Sequence, residues 1–133
     1  MKLLDTTFLI HYWAGREDVR DYLEQKEEFE LTTTTLNIKE IAVGRAIQDE
    51  LDQHEILETF DWVNIIPFQT EHAFLAGQIE AELHRDESVN QDKINSLAGD
   101  VLIAAVAKET EATVVTENTD DFESLGDVSV ETY

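Results

Sequence analysis

Hydrophobic residues along this chain follow two spacings: short continuous runs, and longer segments with one hydrophobic face. A short run bounded by polar or turn residues is typical of a strand buried within a sheet. Such runs, several rich in β-branched residues, predict five strands, at residues 2–4, 29–35, 64–68, 112–116 and 128–131. Pro67 cannot donate a backbone hydrogen bond, so we expect the third strand at a sheet edge or ending there.

The segments between these runs have helical spacing or are apolar throughout. They predict helices at about residues 5–13, 18–28, 36–47, 55–62, 70–84, 97–107 and 119–124, and the polar segment 85–95 predicts a loop. Residues that could cap these helices are Thr6 or Thr7, then Thr34, Thr35 or Asn37, and Thr70. Strands that alternate with helices predict an α/β fold with a mainly parallel sheet and helices on both faces.

The size and composition indicate one ordinary globular domain, spanning residues 1–133. No run of 18 apolar residues is present, so no membrane-spanning helix is predicted, and we expect no signal peptide. The chain contains no cysteine, which excludes disulfides and thiolate metal sites and predicts a cytoplasmic protein.

The charge of the chain is strongly negative. Nine basic and 30 acidic residues give a formal net charge of -21. This excess is typical either of a protein from a high-salt cytoplasm or of an acidic disordered tail. The acidic residues are spread through the amphipathic segments, which favours the high-salt, halophile interpretation. Such a surface would repel nucleic acid at low salt, unless metal ions, screening or a few placed cations overcome the repulsion.

Four acidic residues are distinguished by position. Asp5 ends the first strand, Glu40 lies in the first turn after the second, Asp100 opens an otherwise apolar helix, and Asp121 follows the fourth strand. The carboxyl ends of parallel strands share one sheet edge, so these side chains are expected to converge. Carboxylates this close repel each other unless a cation neutralises them, and hard oxygen ligands suit Mg²⁺ or Mn²⁺. The pattern predicts metal-dependent phosphodiester hydrolysis.

Other interpretations of these residues are weaker. Any single acidic residue in so acidic a chain is usually solvated, or caps a helix, so the evidence lies in the four together. The four histidines share no metal-ligand spacing, no serine lies in a nucleophile-elbow context, and no glycine-rich phosphate loop is present.

Four motifs resemble one known family. Residues 4–10 (LDTTFLI) resemble the opening motif of PIN-domain ribonucleases, and residues 37–41 (NIKEI) resemble the segment with their second acidic residue. Residues 100–105 (DVLIAA) resemble the segment of the third, and residues 116–122 (TENTDDF) are similar to the closing Thr-x-Asn-x-x-Asp-Phe signature. The order and length are similar to those of the VapC toxin subgroup.

The resemblance implies a three-layer α/β/α sandwich and a Mg²⁺-dependent (or Mn²⁺-dependent) endoribonuclease, the toxin of a type II toxin–antitoxin system. It implies an RNA substrate of the tRNA or rRNA class, a cognate VapB-type antitoxin, a homodimer and no membrane. The implied catalytic and metal-binding residues are Asp5, Glu40, Asp100 and Asp121, with Asp120 as an alternative for the fourth. The implied supporting polar residues are Thr6, Thr116 and Asn118.

The small number of basic residues departs from the family pattern. PIN toxins use basic residues around the acidic pocket to hold RNA. The candidates here are Arg16, Arg20, Arg45, Arg85 and Lys39, each as readily explained as a surface charge. Two alternatives therefore stay open, a PIN nuclease of RNA processing and a non-catalytic metal-binding regulatory domain. A receiver-like regulatory domain is disfavoured, because Asp5 has no acidic neighbour and no lysine lies near the final strand.

Overall fold

The computed structural model describes all 133 residues and places a five-stranded sheet between two helical layers. The strands are β1 (Lys2–Leu4), β2 (Leu31–Thr34), β3 (Asn64–Ile66), β4 (Thr113–Val115) and β5 (Val130–Glu131). Their order is β3-β2-β1-β4-β5, and every neighbouring pair is parallel. All strand carboxyl ends therefore lie at one edge of the sheet, with β1 at the centre.

Eight helices connect these strands. They are α1 (Thr6–Trp13), α2 (Glu17–Gln25), α3 (Thr35–Ile47), α4 (Gln53–Thr59), α5 (Thr70–Arg85), α6 (Gln91–Ser96), α7 (Ala98–Thr110) and α8 (Thr119–Glu123). None of them is long and apolar enough to span a bilayer.

Successive residues of the central strands face opposite helical layers. Leu3 and Val114 belong to a hydrophobic cluster with α5, α7 and α8, whereas Leu4 and Val115 belong to a second cluster with α1 to α4. Both sheet faces are thus covered, which explains why these strands are apolar without alternation. The predicted three-layer α/β/α architecture is confirmed.

The predictions for β3 and for the segment 85–95 have different outcomes. β3 is an edge strand that ends immediately before Pro67, as the missing backbone donor of proline requires. The predicted loop at 85–95 is wrong in its second half, because α6 begins at Gln91. The Asn90 carboxamide caps it by accepting a hydrogen bond from the Lys93 N–H (2.8 Å). The helix buries only Ile94, and one apolar residue produces no periodicity to detect.

Of the predicted helix caps Thr6, Thr34 and Thr70, one is confirmed and two are wrong, because a residue of a type that often caps helices can also lie inside the first turn. Thr34 caps α3 in a reciprocal capping box with Asn37, as one of the predicted alternatives had it. Thr70 is wrong as a cap, because it is the first helical residue of α5 and follows Gln69 at the cap position. Thr6 is likewise inside α1, whose cap position is held by Asp5.

Candidate functional site

Asp5 lies at the centre of the sheet edge, and its carboxylate is oriented by two other segments. Its N–H continues the β1–β4 pairing by donating to the Val115 carbonyl (3.0 Å), while its side chain makes no capping bond to α1. Instead, Asp5 Oδ2 accepts a hydrogen bond from Thr116 Oγ1 (2.8 Å) and Oδ1 accepts one from Asn37 Nδ2 (3.2 Å). The residue is 4% exposed. This burial raises the pKa of the Asp5 carboxyl, and the hydrogen bonds oppose that rise.

Asn37 joins the end of β1 to the end of β2. Its side chain is fully buried, and Nδ2 also donates to Thr6 Oγ1 (2.9 Å). Its Oδ1 accepts from the Thr34 hydroxyl (2.6 Å) and from the Thr34 N–H (3.2 Å). The sequence indicated Asn37 only as a possible helix cap, and its direct bond to Asp5 was not foreseen. The available signal was an amide residue in the first helical turn, three positions before Glu40.

Glu40 lies one helical turn beyond Asn37 and therefore projects from the same side of α3. Burial and the Asp5 charge raise the pKa of Glu40, whereas the Thr6 hydroxyl and the Lys39 charge lower it. Its Oε1 also reaches α7, since a Cβ atom built on Gly99 would lie 3.6 Å from it. Glu40 thus spans the space between Asp5 and the start of α7.

Asp100 lies in the first turn of α7. Burial, followed by the charges of Asp5, Asp121 and Glu40, raises the pKa of Asp100 to about 7, and the Lys93 charge opposes this rise. All three other predicted acidic residues therefore act on Asp100. The four carboxylates that the sequence singled out thus lie near enough for the other three to act on Asp100; we call Asp5, Glu40, Asp100 and Asp121 the acidic pocket.

Two adjacent residues of α8, Asp120 and Asp121, are candidates for the fourth acidic residue of the pocket. Asp121 is partly buried in α8, and its Oδ1 accepts a hydrogen bond from Lys93 Nζ (3.1 Å). Asp120 is exposed and is not among the charges that act on Asp100. Asp121 is therefore the acidic residue of α8 that faces the pocket.

The three predicted supporting residues have different environments. Thr116 is fully buried; besides donating to Asp5, its Oγ1 accepts the Asn118 N–H (3.0 Å). Thr6 is also buried and contacts both Asn37 and Glu40. Asn118 is exposed and contributes a backbone N–H to this network, whereas its side chain makes no hydrogen bond.

The PIN domain family matches residues 2–128 of the sequence. The chain belongs to the PIN-domain family. No curated protein matches this PIN domain in a sequence search.

Three solved structures are similar to this PIN domain over nearly its whole length. FitAcB from Neisseria gonorrhoeae is 27% identical, with a TM-score of 0.75 over 98% of this chain and 96% of that one. VapBC-1 from nontypeable Haemophilus influenzae is 17% identical, with a TM-score of 0.79 over 98% and 96%. VapBC-5 from Mycobacterium tuberculosis, a member of the VapBC family of toxin–antitoxin systems, is 22% identical, with a TM-score of 0.61 over 98% and 95%. At these identities the last two show a shared fold alone.

Three of the arginines that the sequence offered as RNA-binding candidates form ion pairs with acidic residues other than the pocket carboxylates. Arg45 pairs with Glu50 (3.3 Å) and Glu55 (3.1 Å), and its guanidinium lies 4.1 Å from the centre of the Trp13 ring. These contacts give Arg45 a structural role between α1, α3 and α4. Arg16 pairs with Asp18 and with Glu117, whereas Arg85 pairs with Glu82 on its own helix. Lys93, which touches the pocket, was not among the sequence candidates because it lies in the segment predicted as a loop.

A second group of possible metal ligands lies elsewhere in the PIN domain. Oxygen or nitrogen atoms of Glu71, His72 and Glu109 lie within 4.8 Å of one another. The Gln69 N–H donates to His72 Nδ1 (2.9 Å), so the proton of the neutral ring lies on Nε2, the nitrogen that faces Glu109. A protonated Nε2 has no lone pair for a metal. Glu109 is also about 13 Å along α7 from Asp100, so this group is separate from the acidic pocket.

Proposed function

We propose that this PIN domain is a divalent-metal-dependent endoribonuclease and the toxin of a toxin–antitoxin pair. The observation that carries the proposal is the convergence of four carboxylates, from β1, α3, α7 and α8, on the carboxyl edge of a parallel sheet. In open α/β sheets this edge is where ligands bind. Membership of the PIN family supports nuclease chemistry, and the toxin–antitoxin complexes among the similar structures support the biological role.

The donor set fits Mg²⁺ or Mn²⁺. All candidate ligands are carboxylate oxygens, which hard divalent ions prefer. Burial raises the pKa of Asp5, Glu40 and Asp100, and charge repulsion from the other pocket carboxylates adds to the rise for Glu40 and Asp100. Placing a cation among them relieves this repulsion. Asp5, Glu40 and Asp100 would hold the ion, with Asp121 as the fourth acidic residue beside them.

The remaining residues of the pocket orient these ligands. Thr116 and Asn37 each donate to a different oxygen of Asp5, which restricts rotation of its carboxylate, and Thr6 contacts Glu40. A bound divalent ion would lower the pKa of a water molecule and stabilise charge on the phosphate during hydrolysis. In that reaction the water oxygen bonds to phosphorus and the P–O3′ bond breaks, which leaves a 3′-hydroxyl and a 5′-phosphate.

The proposed partners follow from the family and the similar structures. We propose RNA of the tRNA or rRNA class as substrate, a VapB-type antitoxin as inhibitor, and a homodimer as the active assembly. Growth arrest on expression, relieved by co-expressing the neighbouring small reading frame, is expected for a toxin. A nuclease of RNA processing would instead cleave RNA without arresting growth.

The nuclease proposal is tested by RNA cleavage with Mg²⁺ or Mn²⁺, at fixed KCl, with a chelator control. Asp5→Asn and Asp100→Asn are each expected to abolish cleavage, because each removes a charged ligand while preserving side-chain shape. Asp120→Asn is the matched control: it removes one exposed acidic charge from α8 and is expected to cleave like the wild type. Wild-type cleavage by both pocket variants, or undiminished cleavage in excess chelator, would disprove the proposal.

A further inference from the structure

The acidic pocket contains one ion pair of its own, between Lys93 and Asp121. Lys93 Nζ lies 3.1 Å from Asp121 Oδ1, and the two side chains are 48% and 40% exposed. Helix α6 holds the lysine in place, because Asn90 caps the helix at the Lys93 N–H and Ile94 is buried in the core. The pair therefore links α6 to α8 at the rim of the pocket and remains open to solvent.

Few cations of this chain are placed to meet a polyanion here. The protein has nine basic residues against 30 acidic ones. Lys39 and Lys93 are the cations whose charges act on the pocket carboxylates Glu40 and Asp100. Lys93 is the one held by an acidic residue of the pocket. An ammonium group has three donors, and Asp121 Oδ1 uses one, so others remain for a ligand.

We propose that Lys93 is a substrate-binding residue that contacts RNA phosphate oxygens beside the reacting bond, and that Asp121 positions Lys93 instead of binding the metal. This inference rests on the proposed nuclease function. The divalent ion would then be bound by Asp5, Glu40 and Asp100, and the Lys93–Asp121 pair would add no net charge to the pocket.

Charge explains why this arrangement suits the protein. Together with one divalent ion, the four pocket carboxylates and Lys93 carry a formal net charge of -1, which still repels a phosphate. A lysine beside these carboxylates offers the phosphate a charge-assisted hydrogen bond that opposes this repulsion. If Asp121 bound the metal, its ion pair with Lys93 would be weakened or broken.

The decisive variant is Lys93→Met combined with Asp121→Asn. It removes one positive and one negative charge, so the net charge of the pocket does not change. Mn²⁺ affinity is measured by titration without RNA, and RNA affinity by fluorescence anisotropy in a chelator. We expect Mn²⁺ affinity within about threefold of the wild type and RNA affinity lowered about tenfold, as for loss of one phosphate contact. A tenfold or greater loss of Mn²⁺ affinity would show that Asp121 is a metal ligand and overturn the inference.

Single variants separate substrate binding from a structural role. Lys93→Met is expected to bind Mn²⁺ at least as tightly as the wild type, since a nearby positive charge is gone, while binding RNA about tenfold more weakly with a salt dependence reduced by about one ion. Lys93→Arg is expected to restore RNA binding. The matched control is Lys108→Met, an exposed lysine on α7 about 12 Å along the helix from Asp100.

The outcomes distinguish this inference from the proposed function. If the wild type neither binds Mn²⁺ nor cleaves RNA, the nuclease proposal fails. If it does both and Lys93→Met binds RNA like Lys108→Met, the Lys93 inference alone fails. A loss of Mn²⁺ affinity in Lys93→Met that parallels a loss of folding in the same buffer would also overturn it, because that result indicates a structural ion pair.

Discussion

Replacing Asp100 by asparagine is expected to abolish RNA cleavage and yet to stabilise the metal-free protein at neutral pH. The side chain lies among three other carboxylates, and burial together with their charges raises its pKa from 3.8 to about 7. Ionising Asp100 therefore costs more in the folded protein than in the unfolded chain. Asparagine keeps the shape of the side chain and removes that cost.

The magnitude follows from the difference between the two pKa values. One pH unit corresponds to about 1.4 kcal/mol, so the change from 3.8 to about 7 would correspond to about 4 kcal/mol. Asp100 is only partly buried, and solvent screening reduces this value. We expect Asp100→Asn to raise the free energy of unfolding by about 1–3 kcal/mol at pH 7.5.

The pH dependence has a definite sign. Between the unfolded pKa of 3.8 and the folded pKa of about 7, the folded protein binds more protons at Asp100 than the unfolded chain does. The wild-type protein therefore loses stability as the pH rises through this window. The difference between variant and wild type should be small near pH 4, grow up to about pH 7 and then level off.

The assay is urea unfolding of both proteins at constant KCl, between pH 4 and pH 8, with a chelator present. Adding Mn²⁺ should narrow or invert the difference, since a ligand that binds the folded state stabilises it and the wild type keeps the full ligand set. A variant less stable than the wild type at pH 7.5 without metal would refute the reasoning. So would a stability difference that does not change with pH.

Four further predictions follow from the contacts described. Asn37→Ala removes the donor to Asp5 and the capping partner of α3, and should lower the free energy of unfolding by about 2–4 kcal/mol; a loss below 1 kcal/mol in urea unfolding would contradict it. Thr116→Val should cost about 1–2 kcal/mol and lower the cleavage rate, because it removes the hydroxyl bond to Asp5; unchanged cleavage kinetics would show that this bond does not orient Asp5. Arg45→Met should lower stability by about 1–2 kcal/mol through its ion pairs and the Trp13 contact, and should leave RNA affinity intact; a marked loss of RNA affinity in the folded variant would assign Arg45 to substrate binding. The folded fraction, followed by circular dichroism, should rise from dilute buffer to molar KCl because salt screens the net charge of -21; full folding in dilute buffer would count against adaptation to high salt.

Several properties of the site were accessible from local sequence patterns. Asp5, Glu40 and Asp100 each stand at the end of an apolar strand or the start of a helix, and in a parallel sheet such positions share one edge. Alternation of strands and helices predicted the parallel sheet itself, and Pro67 predicted the edge position of β3. These inferences depend on the spacing of hydrophobic residues and on the missing backbone N–H of proline, both of which are local properties of the sequence.

Other properties depend on side chains that are distant in the sequence. The sequence did not predict α6, because its single buried residue, Ile94, produces no periodic pattern of hydrophobic positions. Lys93 therefore could not be connected with Asp121, which lies 28 positions further along the chain. Asn37 and Thr116 were recognisable as polar residues near strand ends, but their bonds to Asp5 span 32 and 111 positions.

The sequence by itself determined the class of fold, the family resemblance and three of the four acidic residues, because hydrophobic periodicity and motif spacing are local properties of the chain. The tertiary structure decided which of two adjacent residues, Asp120 or Asp121, faces the pocket, and which cations remain free to meet a substrate. It also decided how far the pKa of Asp100 rises. These properties arise from burial and from charges brought together across separate segments, and no local pattern encodes such distances.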